Sequence, residues 1–319
     1  MLEVRGLQAQ YDTRRGPLHA VNGVSFTVYD GEIVGLVGES GCGKSATIRA
    51  VLGLLRRPGR VTGGEVIFDG RDLLKLPPKQ LRSVRGASIG FIAQNPFAAL
   101  NPILRVDRQF YNAIRAHRKD VTRRESRGMA EKRLSEMGIA DPTRVLDGWA
   151  HELSGGMSQR VVIALVTLLN PSLIVGDEPT TALDVTIQRQ VLDLLHDVVL
   201  ESNRSMLLVT HDLAVVSEYC SRVIVMYAGT VVEIGRVVDV FANPRHPYTK
   251  ALLEAVPRRG QELRPLLGRV PDLVEYPVGC PFSSRCEFVR AECATPPQLV
   301  EDALGRSVAC HVPAGQISA

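Results

Sequence analysis

The stretch Gly38-Glu39-Ser40-Gly41-Cys42-Gly43-Lys44-Ser45 constrains this chain more than any other. An apolar run, Glu32 to Val37, precedes it, and a segment with helical apolar spacing, Ala46 to Leu55, follows, so the order is strand, loop, helix. Glycines let successive backbone N–H groups turn inward without Cβ clashes. The following helix aims the positive end of its dipole, about half a unit charge, at the same point. This is the setting of a phosphate cradle, with Gly38 through Ala46 as its wall. Lys44 is expected to reach the outer phosphates and Ser45 to offer its hydroxyl to Mg²⁺.

A chain of 319 residues exceeds the usual single-domain size, so a large domain with an appendage, or two domains, is expected. With 38 basic and 34 acidic residues, the formal charge of +4 carries no footprint of a nucleic-acid binder. The basic cluster from Arg115 to Arg133 has acids interleaved and reads as a solvated helix face. No signal-peptide pattern opens the chain, and no apolar stretch approaches the ~20 residues that span a bilayer. Val161 to Leu169 is cut off by Asn170-Pro171. The expectation is a cytosolic chain, brought to a membrane only by a partner.

Residues 2–8 and 24–28 alternate apolar and polar, as half-exposed strands do, and Asp30-Gly31 supplies a turn. Tyr11 lies between them; its ring could stack on an adenine or sit as a surface strand tyrosine. Gly64 to Gly70 reads as a strand ending in an Asp-Gly turn, which adds an antiparallel edge. Ile89 to Ala93 reads as a buried strand that delivers Gln94, whose carbonyl suits Mg²⁺ or the attacking water. From Val106 to about Leu146 the pattern is helical and charged, with a break at Asp141-Pro142.

Leu153-Ser154-Gly155-Gly156-Met157-Ser158-Gln159 precedes an apolar helix expected from Arg160 to Leu169. Ser154 suits an N-cap, and the two glycines expose N–H groups at a helix start. Each glycine costs about 1 kcal/mol relative to alanine inside a helix, which implies a close backbone approach. The strand Ser172 to Gly176 brings Asp177 and Glu178 to its carboxyl end, the first suited to the Mg²⁺ shell and the second to general-base work on water. After Ala182-Leu183-Asp184 a helix is expected from Val185 to Leu200. A strand from Met206 to Thr210 then ends at His211, where α/β sheets gather ligand groups.

With these parts in order, residues 1 to about 235 resemble the ATP-binding subunit of ABC transporters. The resemblance rests on the Gly38–Ser45 loop, the Gln94 loop, the signature Leu153 to Gln159, Asp177-Glu178, the Asp184 loop and His211. It implies an α/β P-loop NTPase: a RecA-like core sheet with an antiparallel β edge and an inserted α-helical subdomain at about 95–165. A C-terminal extension, 236–319, completes the chain.

The resemblance also implies the site. Glu178, His211 and Gln94 would be catalytic, and Ser45, Gln94 and Asp177 would hold Mg²⁺. ATP would lie between the loop of one subunit and Ser154, Gly155, Gly156 and Gln159 of another. Family members more often carry Phe and Asp where Ala93 and Asn95 stand. One rival reading is an ABC-type ATPase acting on nucleic acid or ribosomes. It is disfavoured by a single signature and by only roughly 110 residues between Ser45 and Ser154. A regulatory subunit without turnover is disfavoured by the presence of Glu178 and His211.

Thr180 to Gln188, Gly155 to Arg160 and Asn243-Pro244-Arg245-His246-Pro247-Tyr248-Thr249 are similar to the D-type ATPases of dipeptide and oligopeptide importers. This implies two membrane permeases, a solute-binding protein acting indirectly, an F-type ATPase as heterodimer partner, and a place at the cytoplasmic face of the membrane. Related nickel systems share the tail, so the solute stays open.

Six cysteines are present, and Cys280, Cys286, Cys293 and Cys310 fall in the last forty residues. In a reducing compartment they read as metal ligands before disulfides. Spacings of five, six and sixteen residues match neither zinc knuckles nor the ferredoxin run, so zinc, iron–sulfur and free thiols all stay open on geometry. The resemblance of the tail points to a [4Fe–4S] cluster serving as a staple. Cys42 and Cys220 read as packing residues.

Overall fold

The computed structural model describes residues 1–181, 183–201, 203–256 and 266–317. These form two compact units, Met1–Lys75 with Val209–Ala319, and Leu76–Leu208.

In the first unit, Leu2–Thr13 lies between Gly16–Val28 and Gly59–Phe68, antiparallel to both, and Arg71–Asp72 closes the edge. This is the expected antiparallel sheet, with longer strands than the alternation suggested. Register shifts between Val4 and Leu7 and between Ala9 and Tyr11 break the period-2 pattern, so each bulge hides the strand's continuation. The strand Ile33–Val37 runs parallel to Arg222–Tyr227, which pairs antiparallel with Thr230–Arg236. Ile33–Val37 is buried at every position, as an apolar run covered on both faces must be. The tail adds two short strands here: Ser307–Val308 pairs with Thr230–Arg236, and Val300–Glu301 with Ser307–Val308. The extension therefore shares the sheet of this unit and does not form a unit of its own.

In the second unit, Ile89–Ile92 and Leu173–Asp177 are parallel neighbours. Three helices, Val106–Arg115, Arg123–Glu136 and Pro142–Asp147, form the helical segment. Asp141 caps the third by accepting from the Arg144 N–H at 3.0 Å, so the Asp-Pro break is a helix start. Thr122 and Glu125 form a reciprocal capping box on the second. The basic cluster is largely a solvated face: Arg127 pairs with Asp147 and Glu131. Arg133 departs from that reading, since its side chain is 15% exposed and reaches the Thr167 carbonyl. No helix among the described residues is long and apolar enough to cross a membrane.

Candidate functional site

The loop after Ile33–Val37 is built as a cradle. Gly38 and Gly43 have φ of 150° and 103°. A Cβ on Gly38 would stand 2.2 Å from the Met226 carbonyl oxygen, and one on Gly43 2.3 Å from that of Ala20. Both positions require glycine. Gly43 also occupies the N-cap of helix Lys44–Val51, where a glycine supplies no side-chain cap. Lys44 is 6% exposed and folds back on its own loop, its Nζ donating to Gly38 O at 2.7 Å and Glu39 O at 3.0 Å. Ser40 and Gly41 are exposed; Glu39, Gly43, Ser45 and Ala46 are half-buried. Cys42 and Cys220 are buried, as packing residues are.

In the same unit Tyr11 is half-buried on Leu2–Thr13, its ring over Gly59, where a Cβ would lie 2.6 Å from it. His211 is exposed, between Thr210 and Asp212. Asp212 caps helix Leu213–Tyr219 by accepting from the Ala214 N–H at 2.8 Å.

In the second unit Leu173–Asp177 ends with Asp177 at 2% exposure. Glu178 follows at φ 48°, a left-handed conformation uncommon for a residue with a Cβ and typical of functional corners. Its Oε2 accepts from Gln94 Nε2 at 3.1 Å and from Thr181 Oγ1 at 2.9 Å. Two sequence-predicted residues are thus joined, and Thr181 is a third that sequence reasoning missed. Asn95, where the family more often has Asp, caps helix Pro96–Ala99 by accepting from the Phe97 N–H at 2.9 Å. The departure keeps a capping acceptor.

Ser154 is the N-cap of its helix, accepting from the Met157 N–H at 3.3 Å. The helix runs Gly155–Thr167 and so begins at the first glycine, earlier than the expected Arg160. A Cβ on Gly156 would meet Ile187 Cγ2 at 2.8 Å, so the close approach is to helix Val185–Leu200 of the same unit. That helix has its expected bounds, with Asp184 accepting from the Ile187 N–H at 3.0 Å. Ala182 lies outside the described residues. Gln159 faces inward, fully buried, with no hydrogen-bond partner for its amide.

The four tail cysteines are close enough to act on one another. Burial holds Cys280, Cys286 and Cys310 above the usual thiol range, Cys310 at about 11, and the charges of neighbouring cysteines add to each rise. Cys280 N donates to Cys293 O at 2.8 Å, which ties two of the segments together. Among the described residues no group of three or more His, Cys, Asp or Glu forms a metal cage. The donor set, sulfur only, suits a thiophilic centre; the cage itself is not formed.

Sequence reasoning gave no role to the contacts that tie the tail to the phosphate loop. Tyr248 and Phe282 pack on Tyr227 with ring centroids 4.6 and 5.2 Å away. Arg285 forms a bidentate pair with Glu39 at 2.7 and 3.1 Å. His246 is enclosed, and burial pushes its imidazole down to about 3, so it stays neutral and its Nδ1 accepts from the Tyr248 N–H at 3.0 Å.

Residues 21–181 match the ABC transporter family, and residues 232–293 match the oligopeptide/dipeptide transporter C-terminal region. The dipeptide transport ATP-binding protein DppD of Bacillus subtilis is 46% identical over 90% of this chain and 86% of its own length. The oligopeptide transport ATP-binding protein OppD of Salmonella typhimurium is 41% identical over 99% and 95%. The dimeric ATP-binding cassette MJ0796 in a post-hydrolysis state bound to ADP and Pi superposes with a TM-score of 0.66. It is 28% identical and covers 74% of this chain and 99% of MJ0796. With a family model over residues 21–181 and relatives 46% and 41% identical over 90% and 99% of its length, the chain belongs to the ABC transporter family of ATP-binding subunits.

Proposed function

We propose that this chain hydrolyses ATP to power import of di- or oligopeptides through a membrane permease complex, working from the cytoplasmic face as a peripheral subunit. The observation that carries the reading is the pairing of an ABC cassette with the oligopeptide/dipeptide transporter C-terminal region on one chain. Residues 1–235 serve as the ATPase and 236–319 as the extension. In the ATPase, Lys44 and the N–H groups of Gly38 to Ala46 take the phosphates, and Ser45, Gln94 and Asp177 hold Mg²⁺. Glu178 accepts the proton of the attacking water, while His211 contacts the γ-phosphate and Tyr11 stacks on adenine. Ser154, Gly155 and Gly156, supported by buried Gln159, complete the site of a second ATPase, an F-type subunit. The segment Asn95 to Asn101 meets the permease; Phe97 there and Ile103 just beyond are 48% and 82% exposed, apolar surface suited to a partner.

Reconstitution of the chain with two permeases, an F-type ATPase and a solute-binding protein in vesicles is the test. ATP-dependent uptake of labelled di- or oligopeptides is expected. Uptake of nickel alone would move the assignment to the related metal importers.

The tail cysteines hold a [4Fe–4S] cluster in this reading, with zinc as the second candidate. Cys280, Cys286, Cys293 and Cys310 would supply four thiolates, and a bound cation would offset the burial that holds Cys280, Cys286 and Cys310 above the usual thiol range. A cluster there supplies a structural cross-link between tail segments. Anaerobically purified protein is expected to be brown, with a broad visible absorption band. Colourless protein with stoichiometric zinc overturns the iron–sulfur assignment.

A further inference from the structure

Glu39, in the phosphate loop, is held from the tail at both its backbone and its carboxylate. Its N–H donates to Tyr248 Oη at 2.8 Å. Its carboxylate takes both Nη atoms of Arg285. Its carbonyl receives Lys44 Nζ.

Arg285 is itself fixed, its side chain 3% exposed. Its Nε donates to Leu267 O at 2.8 Å, its Nη1 also to Tyr227 Oη at 3.3 Å and its Nη2 to Leu266 O at 3.4 Å. The guanidinium carbon lies 5.7 and 5.9 Å from the rings of Tyr227 and Phe282. Tyr248 is fully buried on helix Pro247–Glu254, whose N-cap is His246.

A glycine-rich loop has many backbone conformations, and only the one with converging N–H groups binds phosphate well. Whatever selects that conformation beforehand raises affinity. The bidentate pair and the Tyr248 hydroxyl fix the loop at its second residue, and through the Glu39 carbonyl they also fix where Lys44 rests. We propose that Arg285 and Tyr248 are positioning residues of the ATP site, so that the C-terminal extension sets nucleotide affinity through Glu39. This rests on the reading of Gly38 to Ser45 as the ATP cradle.

The test is titration calorimetry of MgATP into the full chain, with steady-state ATPase kinetics in the assembled complex. Arg285→Ala and Glu39→Gln are each expected to weaken ATP binding about tenfold, the scale of one lost charge-assisted pair. They should raise KM with kcat nearly unchanged, and Arg285→Lys should restore part of the loss. The double variant should bind no more weakly than the worse single one, because both remove the same link. Tyr248→Phe, which deletes only the hydroxyl, should weaken binding in the same direction. If Arg285→Ala does not fold, Glu39→Gln carries the test, since it leaves Arg285 and its carbonyl acceptors in place. Unchanged affinity in folded Glu39→Gln and Tyr248→Phe overturns the proposal, as do additive losses in the double variant. Failure of the wild-type chain to bind ATP, or unchanged binding in Lys44→Ala, would instead sink the ATP-site reading itself.

Discussion

Replacing Glu178 by glutamine is expected to lower ATP turnover by about 10²–10⁴-fold, the usual contribution of general-base catalysis, while ATP affinity stays within about twofold. The substitution is nearly isosteric. Thr181 Oγ1 and Gln94 Nε2 both donate to Glu178 Oε2, and the amide oxygen of glutamine accepts in the same place. The left-handed backbone at φ 48° is unaffected by the change, so the corner keeps its shape. What disappears is the capacity to take a proton from water. Phosphate release in the assembled complex measures the first effect and calorimetric titration of MgATP the second. Turnover within tenfold of wild type would remove Glu178 from the role of base. Loss of binding together with turnover would instead mark the carboxylate as part of the nucleotide cradle.

Much of this site is legible in the sequence because its parts are local. Gly38 to Ser45 carries its own backbone requirements, and Asp184 announces the start of Val185–Leu200 by a capping bond to a residue three positions on. Asp141, Ser154 and Asn95 cap their helices in the same local way. The rest has non-local causes. In the signature helix, which begins at Gly155 directly after its Ser154 cap, glycine at 156 answers to Ile187 of another helix, which fills the space a side chain there would need. The first strand continues to Thr13 because bulges shift its alternation, and only the pairing with Gly16–Val28 and Gly59–Phe68 reveals it. The Arg285–Glu39 pair joins residues 246 positions apart, and nothing in either neighbourhood signals the other. The Asn243 to Thr249 motif is visible as a family resemblance, yet its physical role emerges only when His246 and Tyr248 are seen against the loop.

Truncating Arg306 to alanine should destabilise the chain by about 3–5 kcal/mol, the cost of stranding one partner of a buried ion pair. Glu233, on strand Thr230–Arg236, is 0% exposed, and Arg306 is 7% exposed at the side chain. The Arg306 guanidinium donates to the Glu233 carboxylate through Nε at 3.1 Å and through Nη2. The same carboxylate accepts from the N–H groups of Arg245 and His246 at 2.9 and 3.1 Å. One anion therefore organises the turn that sets the start of helix Pro247–Glu254 and places Tyr248. Without Arg306 its charge is left uncompensated in a buried site, and the turn it organises is drawn apart. Against a typical stability of about 5–15 kcal/mol, the loss removes about a fifth or more. Urea denaturation of the purified variant measures it as a lower midpoint. The charge origin is separable from packing: Glu233→Gln with Arg306→Met removes both charges at similar volume, and should recover most of the loss because no ion is left buried alone. A single variant within about 1 kcal/mol of wild type would show that the pair is screened, whatever its burial. A double variant as weak as Arg306→Ala would place the cost in the Arg306 bonds to the Asp239 and Asn243 carbonyls instead. In the expected case ATP affinity falls with stability in Arg306→Ala and returns with it in the double variant, because Tyr248 can hold Glu39 only while the Glu233 turn is intact.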